Sequence, residues 1–385
     1  MNNFISYGKQ WIDDEDKQAV LDVLSSDFLT QGPKVQEFEE AICEHTGAKY
    51  CIVVSNGTAA LHLAALALEI KEGSEGISTP ITFVASSNCL AYCGIKPVFA
   101  DIDSETYNID FEEIKKRTNE KTKVIIAVDF AGQPAELEKI YPWAREKGIY
   151  VIEDAAHSLG SKFGDGSMVG SCKYSDVTTF SFHPVKTITT GEGGAITTND
   201  EEIYERLKLL RSHGITKDAD KLSQNPGPWY YEMQTLGYNY RLTDIQAALG
   251  LSQLSKLDVF AKRRREIVDA YNQEFAKNDL ISTPFEKSGL DSTFHLYIVR
   301  INFDKLGKTR AEVSKELAVQ NIGVQVHYIP VHLQPYYQSE FGYKQGDYPK
   351  AEKYYSECLS LPLYPKMSEE DVDRVIEAVN KIIAM

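Results

Sequence analysis

The stretch Ser181-Phe182-His183-Pro184-Val185-Lys186-Thr187-Ile188-Thr189-Thr190-Gly191-Glu192-Gly193-Gly194 places a lysine in a loop between two apolar runs. The runs, residues 177–182 and 195–198, predict two strands of one sheet. Upstream, Ile152-Glu153-Asp154-Ala155-Ala156-His157 puts an aspartate at the end of another apolar run. Because ligand sites in open α/β sheets lie at the carboxyl ends of strands, both segments predict a site on such a sheet.

The remainder of residues 50–198 favours the same architecture. Apolar β-rich runs at 51–54, 123–128 and 150–152 alternate with helical patterns, which is typical of a mostly parallel sheet covered by helices. Gly32-Pro33 precedes an amphipathic stretch and Gly47 follows its end, so a helix is predicted between them. We therefore predict a large α/β domain over residues 1–250, including an N-terminal substrate-binding segment.

The pattern changes beyond Arg241. A long helical region runs through residue 275, and its basic cluster Lys262-Arg263-Arg264-Arg265 is interpreted as a solvated helix face. A strand at 294–301, a helix at 309–320, a strand at 324–327 and a closing helix at 368–383 predict a smaller α+β domain within residues 251–385. The turn-rich loop 218–232 is longer than a typical connection and is a candidate cover for a site.

The composition and charge of the chain limit the classes of function that it could have. The 385 residues carry a formal net charge of -15, which disfavours a nucleic-acid or anionic-membrane surface. No segment reads as a signal peptide or a membrane span, so a cytoplasmic location is predicted. The six cysteines lack paired CxxC spacing, and we predict neither a disulfide framework nor a metal site.

Lys186 and Asp154 together point to pyridoxal phosphate. A lysine amine can form a Schiff base with the cofactor aldehyde, while a carboxylate beside the pyridine nitrogen keeps that nitrogen protonated. Either residue alone has a simpler interpretation, since Lys186 would be an exposed loop lysine and Asp154 a cap of the next turn. The combination makes both catalytic candidates.

Several further residues are candidates for holding such a cofactor. Ser55-Asn56-Gly57-Thr58 predicts a turn from a strand into a helix, where backbone N–H groups can approach a phosphate, although it also fits an ordinary helix cap. The hydroxyl of Ser181 is a further candidate for binding the phosphate. Phe83 is a candidate for stacking on the pyridine ring and His157 for contacting its phenolic oxygen, and both fit core positions equally well.

Taken together, the chain resembles the DegT/DnrJ/EryC1/StrS family of sugar aminotransferases, which have the fold-type I architecture of pyridoxal phosphate enzymes. The resemblance covers nearly the whole chain. It is carried by Ser55-Asn56-Gly57-Thr58-Ala59-Ala60-Leu61, Glu153-Asp154-Ala155-Ala156-His157, the segment 181–194 and Gly237-Tyr238-Asn239-Tyr240-Arg241-Leu242.

The resemblance implies a role for each matching position. Lys186 would bind the cofactor covalently, Asp154 would contact the pyridine nitrogen, and Gly57, Thr58 and Ser181 would surround the phosphate. It also implies a homodimer in which Asn239 reaches the partner's cofactor.

Within the family, three segments most resemble the C4 aminotransferases of pseudaminic acid biosynthesis. This resemblance implies L-glutamate as amino donor and a UDP-linked 4-keto sugar as acceptor. The segments supply the expected substrate contacts, which are Tyr7, Leu29, Thr30, Gln325, Val326, His327 and Tyr328.

Four alternatives remain open at this stage. The first is a C3 or C4 aminotransferase of another nucleotide-linked keto sugar, since the position on the sugar and the nucleotide rest on the resemblance alone. Sugar dehydratases of the same fold resemble the family with histidine in place of the lysine, so Lys186 argues against them. A sensory or regulatory member would bind cofactor or sugar without turnover. A general amino-acid aminotransferase is disfavoured because the resemblance points to sugars.

Overall fold

A seven-stranded sheet organises the first half of the chain in the computed structural model, which describes residues 4–383. The outer ends of the predicted domains, residues 1–3 and 384–385, lie outside this range. The strands are β1 Tyr50–Val54, β2 Glu75–Ser78, β3 Lys96–Phe99, β4 Thr122–Val128, β5 Tyr150–Asp154, β6 Val177–Ser181 and β7 Gly194–Thr198. All three strands predicted at 51–54, 123–128 and 150–152 are confirmed.

The strand order is β1-β7-β6-β5-β4-β2-β3. Strands β3, β2, β4, β5 and β6 pair in parallel, and β7 runs antiparallel to both β6 and β1. Strand β1 therefore points the same way as β6. As a result, the carboxyl ends of β1, β4, β5 and β6 meet at one edge of the sheet, where α/β proteins bind ligands. The predicted mostly parallel α/β fold is confirmed.

Helices cover this sheet. They are α1 Asp14–Leu24, α2 Pro33–Thr46, α3 Gly57–Ala67, α4 Ala85–Tyr92, α5 Phe111–Arg117, α6 Leu137–Glu146 and α7 Glu201–Arg211. Helix α2 has the predicted signals, with Pro33 at its first position and Gly47 in a left-handed conformation at φ 81° after its end. Its buried side chains Phe38 and Ile42 join the core beneath the sheet.

Two helices, α8 Asp244–Leu254 and α9 Leu257–Phe275, replace the single long helical region expected after Arg241. Lys256 separates them with non-helical angles of φ -103° and ψ 0°. Its ammonium group lies 3.1 Å from the carboxylate of Asp16 and also pairs with Asp13 and Glu15. This cluster of carboxylates around helix α1 holds the lysine where a continuous helix would not place it.

Gly250 of α8 lies where there is no room for a side chain. A Cβ atom there would lie 2.5 Å from Cζ of Phe38 and 2.9 Å from Cγ2 of Thr190, which belongs to the loop that carries Lys186. The glycine thus lets α8 pack against α2 and against the lysine loop at the same time.

We expect Gly250→Ala to lower the free energy of unfolding by about 1–3 kcal/mol, because the added methyl group overpacks the core. In an unconstrained helix the same change would stabilise by about 1 kcal/mol. Urea unfolding followed by circular dichroism measures the difference. The double variant Gly250→Ala/Phe38→Leu should recover part of the loss, and a stabilised single variant would contradict this packing.

A second sheet lies in the last third of the chain. It has the order β10-β11-β12, formed by β10 Ile281–Ser282, β11 Tyr297–Ile301 and β12 Cys358–Leu361. The helices around it are α10 Phe303–Leu306, α11 Arg310–Val319, α12 Pro335–Phe341, α13 Pro349–Glu357 and α14 Glu369–Ile383. The predicted strand at 294–301 and the predicted helices at 309–320 and 368–383 are confirmed to within a few residues. The division into domains at residue 250 stays a prediction.

The prediction of a strand at 324–327 is wrong. Only Gln325 pairs with a strand, through two backbone hydrogen bonds with Ser360 of 3.1 and 2.8 Å. The next backbone N–H, that of Val326, is taken by the side-chain oxygen of Gln325 at 2.9 Å. This local bond ends the pairing and turns the chain so that His327 and Tyr328 leave the sheet.

The interpretation of 262–265 as a solvated face is wrong for Arg264, which is only 1% exposed. Its guanidinium group donates to the carbonyl oxygens of Phe294, His295 and Leu363 at 3.4, 3.1 and 3.1 Å. Burial lowers the pKa of Arg264 to about 10. Arg264 therefore joins helix α9 to the segment that precedes β11.

The loop 218–232 closes on a small two-stranded sheet of β8 Ile215–Thr216 and β9 Glu232–Met233. Within it the carboxylate of Glu232 accepts hydrogen bonds from the backbone of Ser223 and the hydroxyl of Tyr230. Its role as a cover stays a prediction. None of the helices between residues 4 and 383 is both long enough and apolar enough to cross a bilayer.

Candidate active site

A cavity of about 720 Å³ lies where the carboxyl ends of β1, β4, β5 and β6 meet. The start of α3 and the segment after Gln325 also contribute to its wall. Ten of the residues predicted from the sequence line it, namely Tyr7, Gly57, Thr58, Phe83, Asp154, His157, Ser181, Lys186, His327 and Tyr328. The fold thus gathers at one place side chains that are far apart in the sequence.

Lys186 lies in the loop between β6 and β7 and is partly buried. Burial lowers the pKa of its amine from the ordinary 10.5 to about 8, and the negative charge of Asp154 opposes this shift only in part. An amine with this pKa is neutral in a useful fraction of molecules near neutral pH, which a nucleophilic lysine requires.

We expect the ligand-free protein to combine with pyridoxal phosphate faster as the pH rises, with the midpoint of the rate near pH 8. The reason is that only the neutral amine attacks the aldehyde, and Lys186 becomes neutral as the pH passes its pKa. Stopped-flow absorbance after mixing, at pH values from 6.5 to 10.5, measures this rate. A midpoint near the ordinary lysine value of 10.5 would contradict the lowered pKa.

Asp154 ends strand β5 and is 4% exposed. The hydroxyl of Ser86 donates to one carboxylate oxygen at 2.6 Å, and the backbone N–H of Ala156 donates to the other at 3.2 Å. Burial raises the pKa of Asp154, while these two donors and the charge of Lys186 lower it. A buried carboxylate of this kind is suited to a cationic group of a ligand, which would keep it ionised.

The start of α3 forms a cradle for an anion. Asn56 caps the helix by accepting the N–H of Ala59 at 2.8 Å, so the predicted cap is present beside the predicted anion site. A Cβ atom on Gly57 would lie 2.8 Å from Cβ of Ser181, so the close approach of the helix start to Ser181 requires glycine here. The helix N-terminus, Thr58 and the Ser181 hydroxyl together suit a phosphate.

The residues that line the cavity therefore fit three chemical groups of pyridoxal phosphate. The anion cradle suits the phosphate, the buried carboxylate of Asp154 suits a protonated pyridine nitrogen, and Lys186 suits the aldehyde. Phe83 is 57% exposed and lines the cavity, although aromatic residues of this size usually pack inward. A ring bound against Phe83 would cover that exposed face.

Three aromatic side chains form the wall beside Asp154. The Nε2 atom of His157 lies 3.2 Å from the hydroxyl oxygen of Tyr328, and its Nδ1 atom accepts the backbone N–H of Ala131 at 3.3 Å. The ring of His295 lies 4.4 Å from that of His157. Burial holds the pKa of both imidazoles well below the ordinary value, so both are neutral.

Five residues predicted from the sequence do not line this cavity. Asn239 and Leu29 are exposed, and Thr30 pairs with Thr243 instead. Gln325 pairs with Ser360, and Val326 packs against an aromatic cluster. Their predicted roles stay predictions.

Residues without a sequence-based prediction also line the cavity, above all Ser86 and His295. Ser86 lies four residues after Thr82, whose hydroxyl is 2.7 Å from it, and this spacing at a helix start was an available signal. His295 falls within the strand predicted at 294–301 and has no predicted role at the site. A histidine within the apolar run 294–299 is the signal that would have marked it.

A second cavity of about 680 Å³ is lined by Arg241 and Leu242, next to Tyr240 of the first. Its acidic Glu39 is already paired with Arg211 and also accepts the N–H of Val53. Two lysines, Lys49 and Lys208, also line this cavity, but Lys208 pairs with Glu205 and neither lysine is paired with Glu39 in the described chain, so we place the chemistry in the first cavity.

Residues 10–380 match the model of the DegT/DnrJ/EryC1/StrS aminotransferase family. The chain belongs to this family. A spore coat polysaccharide biosynthesis protein, SpsC of Bacillus subtilis, is 43% identical over 99% of this chain and 98% of its own. UDP-4-amino-4,6-dideoxy-N-acetyl-beta-L-altrosamine transaminase of Campylobacter jejuni is 39% identical over 98% of this chain and 97% of its own.

Solved structures of sugar aminotransferases have the same fold as this DegT/DnrJ/EryC1/StrS aminotransferase. PseC of Helicobacter pylori, involved in the biosynthesis of pseudoaminic acid, superposes with a TM-score of 0.91 at 36% identity, over 99% of this chain and all of that one. A putative sugar aminotransferase of Streptococcus pneumoniae, Spr1654, superposes in its PMP form with a TM-score of 0.91 at 33% identity, over 99% of each chain. It is also known in a PLP form. The family depends on pyridoxal phosphate, and the predicted cofactor is confirmed.

Proposed function

We propose that this aminotransferase moves the amino group of L-glutamate to C4 of a UDP-linked 4-keto-6-deoxy-N-acetylhexosamine, as in the formation of pseudaminic acid. The observation that carries the proposal is the cavity itself, in which Lys186 and buried Asp154 share a wall with Tyr7, His327 and Tyr328. The names of the Campylobacter and Helicobacter relatives support the sugar and its nucleotide.

The cofactor would be held by residues of the cavity. Gly57, Thr58 and Ser181 bind its phosphate, Asp154 its pyridine nitrogen, and Phe83 one face of its ring. When bound, pyridoxal phosphate supplies an aldehyde that takes up an amino group and a protonated ring that withdraws electrons from the donor carbon. Asp154 would hold the proton on that ring, because a buried carboxylate is stabilised in its ionised form by a cationic group beside it.

Lys186 carries the proton during the reaction. In each half reaction its amine would take a proton from the carbon that loses the amino group and deliver it to the carbon that receives the amino group, and a pKa of about 8 suits both steps near neutral pH. Glutamate leaves as 2-oxoglutarate before the keto sugar enters, so the kinetics should be ping-pong. The partly buried position of Lys186 limits the access of water to the reacting carbon.

The sugar would meet the wall formed by Tyr7, His327 and Tyr328. The rings of Tyr7 and His327 lie 5.4 Å apart, and Nδ1 of His327 is 2.7 Å from the hydroxyl of Ser360. This bond fixes the orientation of the imidazole. The other proposed contacts lie outside the cavity of the same chain and would act from beside it or from a partner, namely Leu29, Thr30, Gln325 and Val326.

The proposed assembly is a homodimer. Large apolar side chains between β8 and α8 are exposed, with Trp229 at 70%, Met233 at 62% and Leu236 at 74%. A second copy covering this face would bury them. Asn239 lies three residues after Leu236, is exposed, and does not line the cavity of its own chain, which supports its proposed contact with the partner's cofactor. The cytoplasmic location and the domain boundary at residue 250 are part of the proposal.

A panel of keto sugars tests the function. UDP- and dTDP-linked 3-keto and 4-keto sugars are incubated with the holoenzyme and L-glutamate, and products are read by mass spectrometry. We expect the UDP-linked 2-acetamido-2,6-dideoxy-4-keto-hexose to gain one amino group for each 2-oxoglutarate formed, and Lys186→Ala to form neither. Failure with every UDP-linked 4-keto-hexose would overturn the assignment.

A second candidate has one observation in its favour. The Bacillus relative, at 43% identity, is named for spore coat polysaccharide biosynthesis, so C3 or C4 amination of another nucleotide-linked keto sugar is the alternative. The same panel separates the two. A regulatory member without turnover would show no 2-oxoglutarate with any sugar, and a general amino-acid aminotransferase would prefer keto acids as acceptors.

A further inference from the structure

The hydrogen bonds of His157 determine which atoms donate in a short chain that runs from Ala131 through His157 to Tyr328. The backbone N–H of Ala131 points at Nδ1 from 3.3 Å, so Nδ1 is the acceptor and carries no hydrogen. In a neutral imidazole the hydrogen is then on Nε2, which lies 3.2 Å from the hydroxyl oxygen of Tyr328. The imidazole therefore donates to Tyr328. A charged imidazolium would also carry a hydrogen on Nδ1, and this hydrogen would face the backbone N–H of Ala131.

The backbone around Ala131 is shaped for this contact. Ala131 has φ 58°, a left-handed conformation that alanine rarely adopts. Its carbonyl oxygen accepts the N–H of Leu296 at 3.4 Å, next to His295. The following residue, Gly132, has φ 106°, and a Cβ there would lie 2.9 Å from the N atom of His295. Strain held at a site wall in this way is a frequent sign of a functional constraint.

His295 completes the chain by keeping His157 neutral. It is 3% exposed, lines the cavity, and its Nδ1 atom has no hydrogen-bond partner among residues 4–383. The ring centroids are 4.4 Å apart, so a charge on either ring would lie close to the other ring, and the charge of Lys186 also disfavours a charged His295. Arg264 holds the carbonyl of His295 and adds a further positive charge nearby.

The hydroxyl hydrogen of Tyr328 is left without an acceptor. Tyr328 accepts from His157, and within the described chain its hydroxyl has no second hydrogen-bond partner. Burial raises the pKa of Tyr328, so the phenol keeps its hydrogen at neutral pH. Since the tyrosine lines the cavity, this hydrogen is available to a ligand there.

We propose that Tyr328 is a catalytic hydrogen-bond donor whose hydrogen is directed into the cavity by His157, and that it serves an oxygen atom of the bound ligands. The oxygen belongs either to the cofactor ring or to the keto group of the sugar. His157 is a positioning residue, and His295 keeps it in its neutral form. The kinetic part of this inference rests on the proposed function, whereas the direction of the chain does not.

Nitrogen NMR tests the direction of the chain without any substrate. Protein labelled with ¹⁵N-histidine is measured with and without cofactor between pH 6 and 8.5, and His157→Gln assigns the signals. We expect His157 to show the hydrogen on Nε2 throughout this range. A hydrogen on Nδ1, or a His157 that becomes charged in this range, would overturn the proposal whatever the substrate is.

Tyr328→Phe tests the donor in the holoenzyme. If the acceptor is the cofactor oxygen, the pH titration of the bound cofactor's visible absorbance shifts, and both half reactions slow by roughly 10²-fold. If it is the sugar oxygen, the titration is unchanged and only the step with keto sugar slows. Either result supports the donor, and unchanged titration together with unchanged half reactions overturns it.

Two further variants separate positioning from packing. Tyr297→Phe removes a hydroxyl that donates to Asn272 at 2.8 Å in the second sheet, and it should leave the titration and both half reactions unchanged. His157→Phe should slow the same step as Tyr328→Phe, and the double variant should lose no more than either single one. Additive losses would show that His157 does not act through Tyr328.

Discussion

Replacing Lys186 by arginine is expected to abolish amino transfer, with a loss of roughly 10⁴-fold or more in turnover. Arginine keeps the positive charge and most of the volume, but it can neither bond to the aldehyde nor release a proton at neutral pH. The loss is measured as 2-oxoglutarate formed from glutamate and keto sugar. Pyridoxal phosphate should still bind through the α3 cradle, although without a covalent bond to the protein.

Chemical rescue distinguishes lost chemistry from lost folding. Adding a small amine such as methylamine to Lys186→Ala should restore part of the turnover, because the amine can enter the space left by the side chain. Lys173→Arg is the matched control, since Lys173 is an exposed lysine that pairs with Asp165 on the surface. Turnover of Lys186→Arg at the rate of the unaltered protein would contradict the role given to this residue.

Replacing Asp154 by alanine is expected to slow proton transfer in both half reactions by about 10²- to 10⁴-fold while part of the cofactor stays bound. The variant removes the negative charge that keeps the pyridine nitrogen protonated, and it removes the carboxylate oxygen that accepts a hydrogen bond from Ser86. Single-turnover stopped-flow spectra with glutamate, and then with keto sugar, measure each half separately.

Glu153→Gln is the matched control for Asp154→Ala. Glu153 precedes Asp154 on β5 and is also buried, but its side chain bonds to Thr178 on the opposite face of the sheet. Burial raises the pKa of Glu153 to about 7, so the amide replaces a group that is protonated in many molecules. We expect the control to keep its half-reaction rates. Unaltered rates in Asp154→Ala would refute the assignment of Asp154.

The parts of the site that the sequence predicts are those fixed by local rules. Asp154 ends a strand because an apolar run stops there, and Gly57 opens a helix because a polar cap precedes it. Parallel pairing then brings strand ends to one edge, which explains why Lys186, Asp154 and Gly57 lie around one cavity. The family resemblance supplied the roles, and local patterns supplied the positions.

Other features depend on long-range contacts that no local pattern encodes. Arg264 is buried because three carbonyl groups from two other segments surround its guanidinium group. The break at Lys256 follows from carboxylates on α1, more than 200 residues away in the chain. His295 enters the cavity only because the segment before β11 crosses the end of β5 near His157.

The central claim is that the resting protein carries its cofactor on the Lys186 amine. Reduction of the purified holoenzyme with borohydride, followed by proteolysis and mass spectrometry, tests it most directly. The account predicts that the peptide containing Lys186 gains the mass of one reduced pyridoxyl phosphate group and that other lysine peptides do not. An unmodified Lys186 peptide from cofactor-saturated protein, or a modification at another lysine, would contradict it.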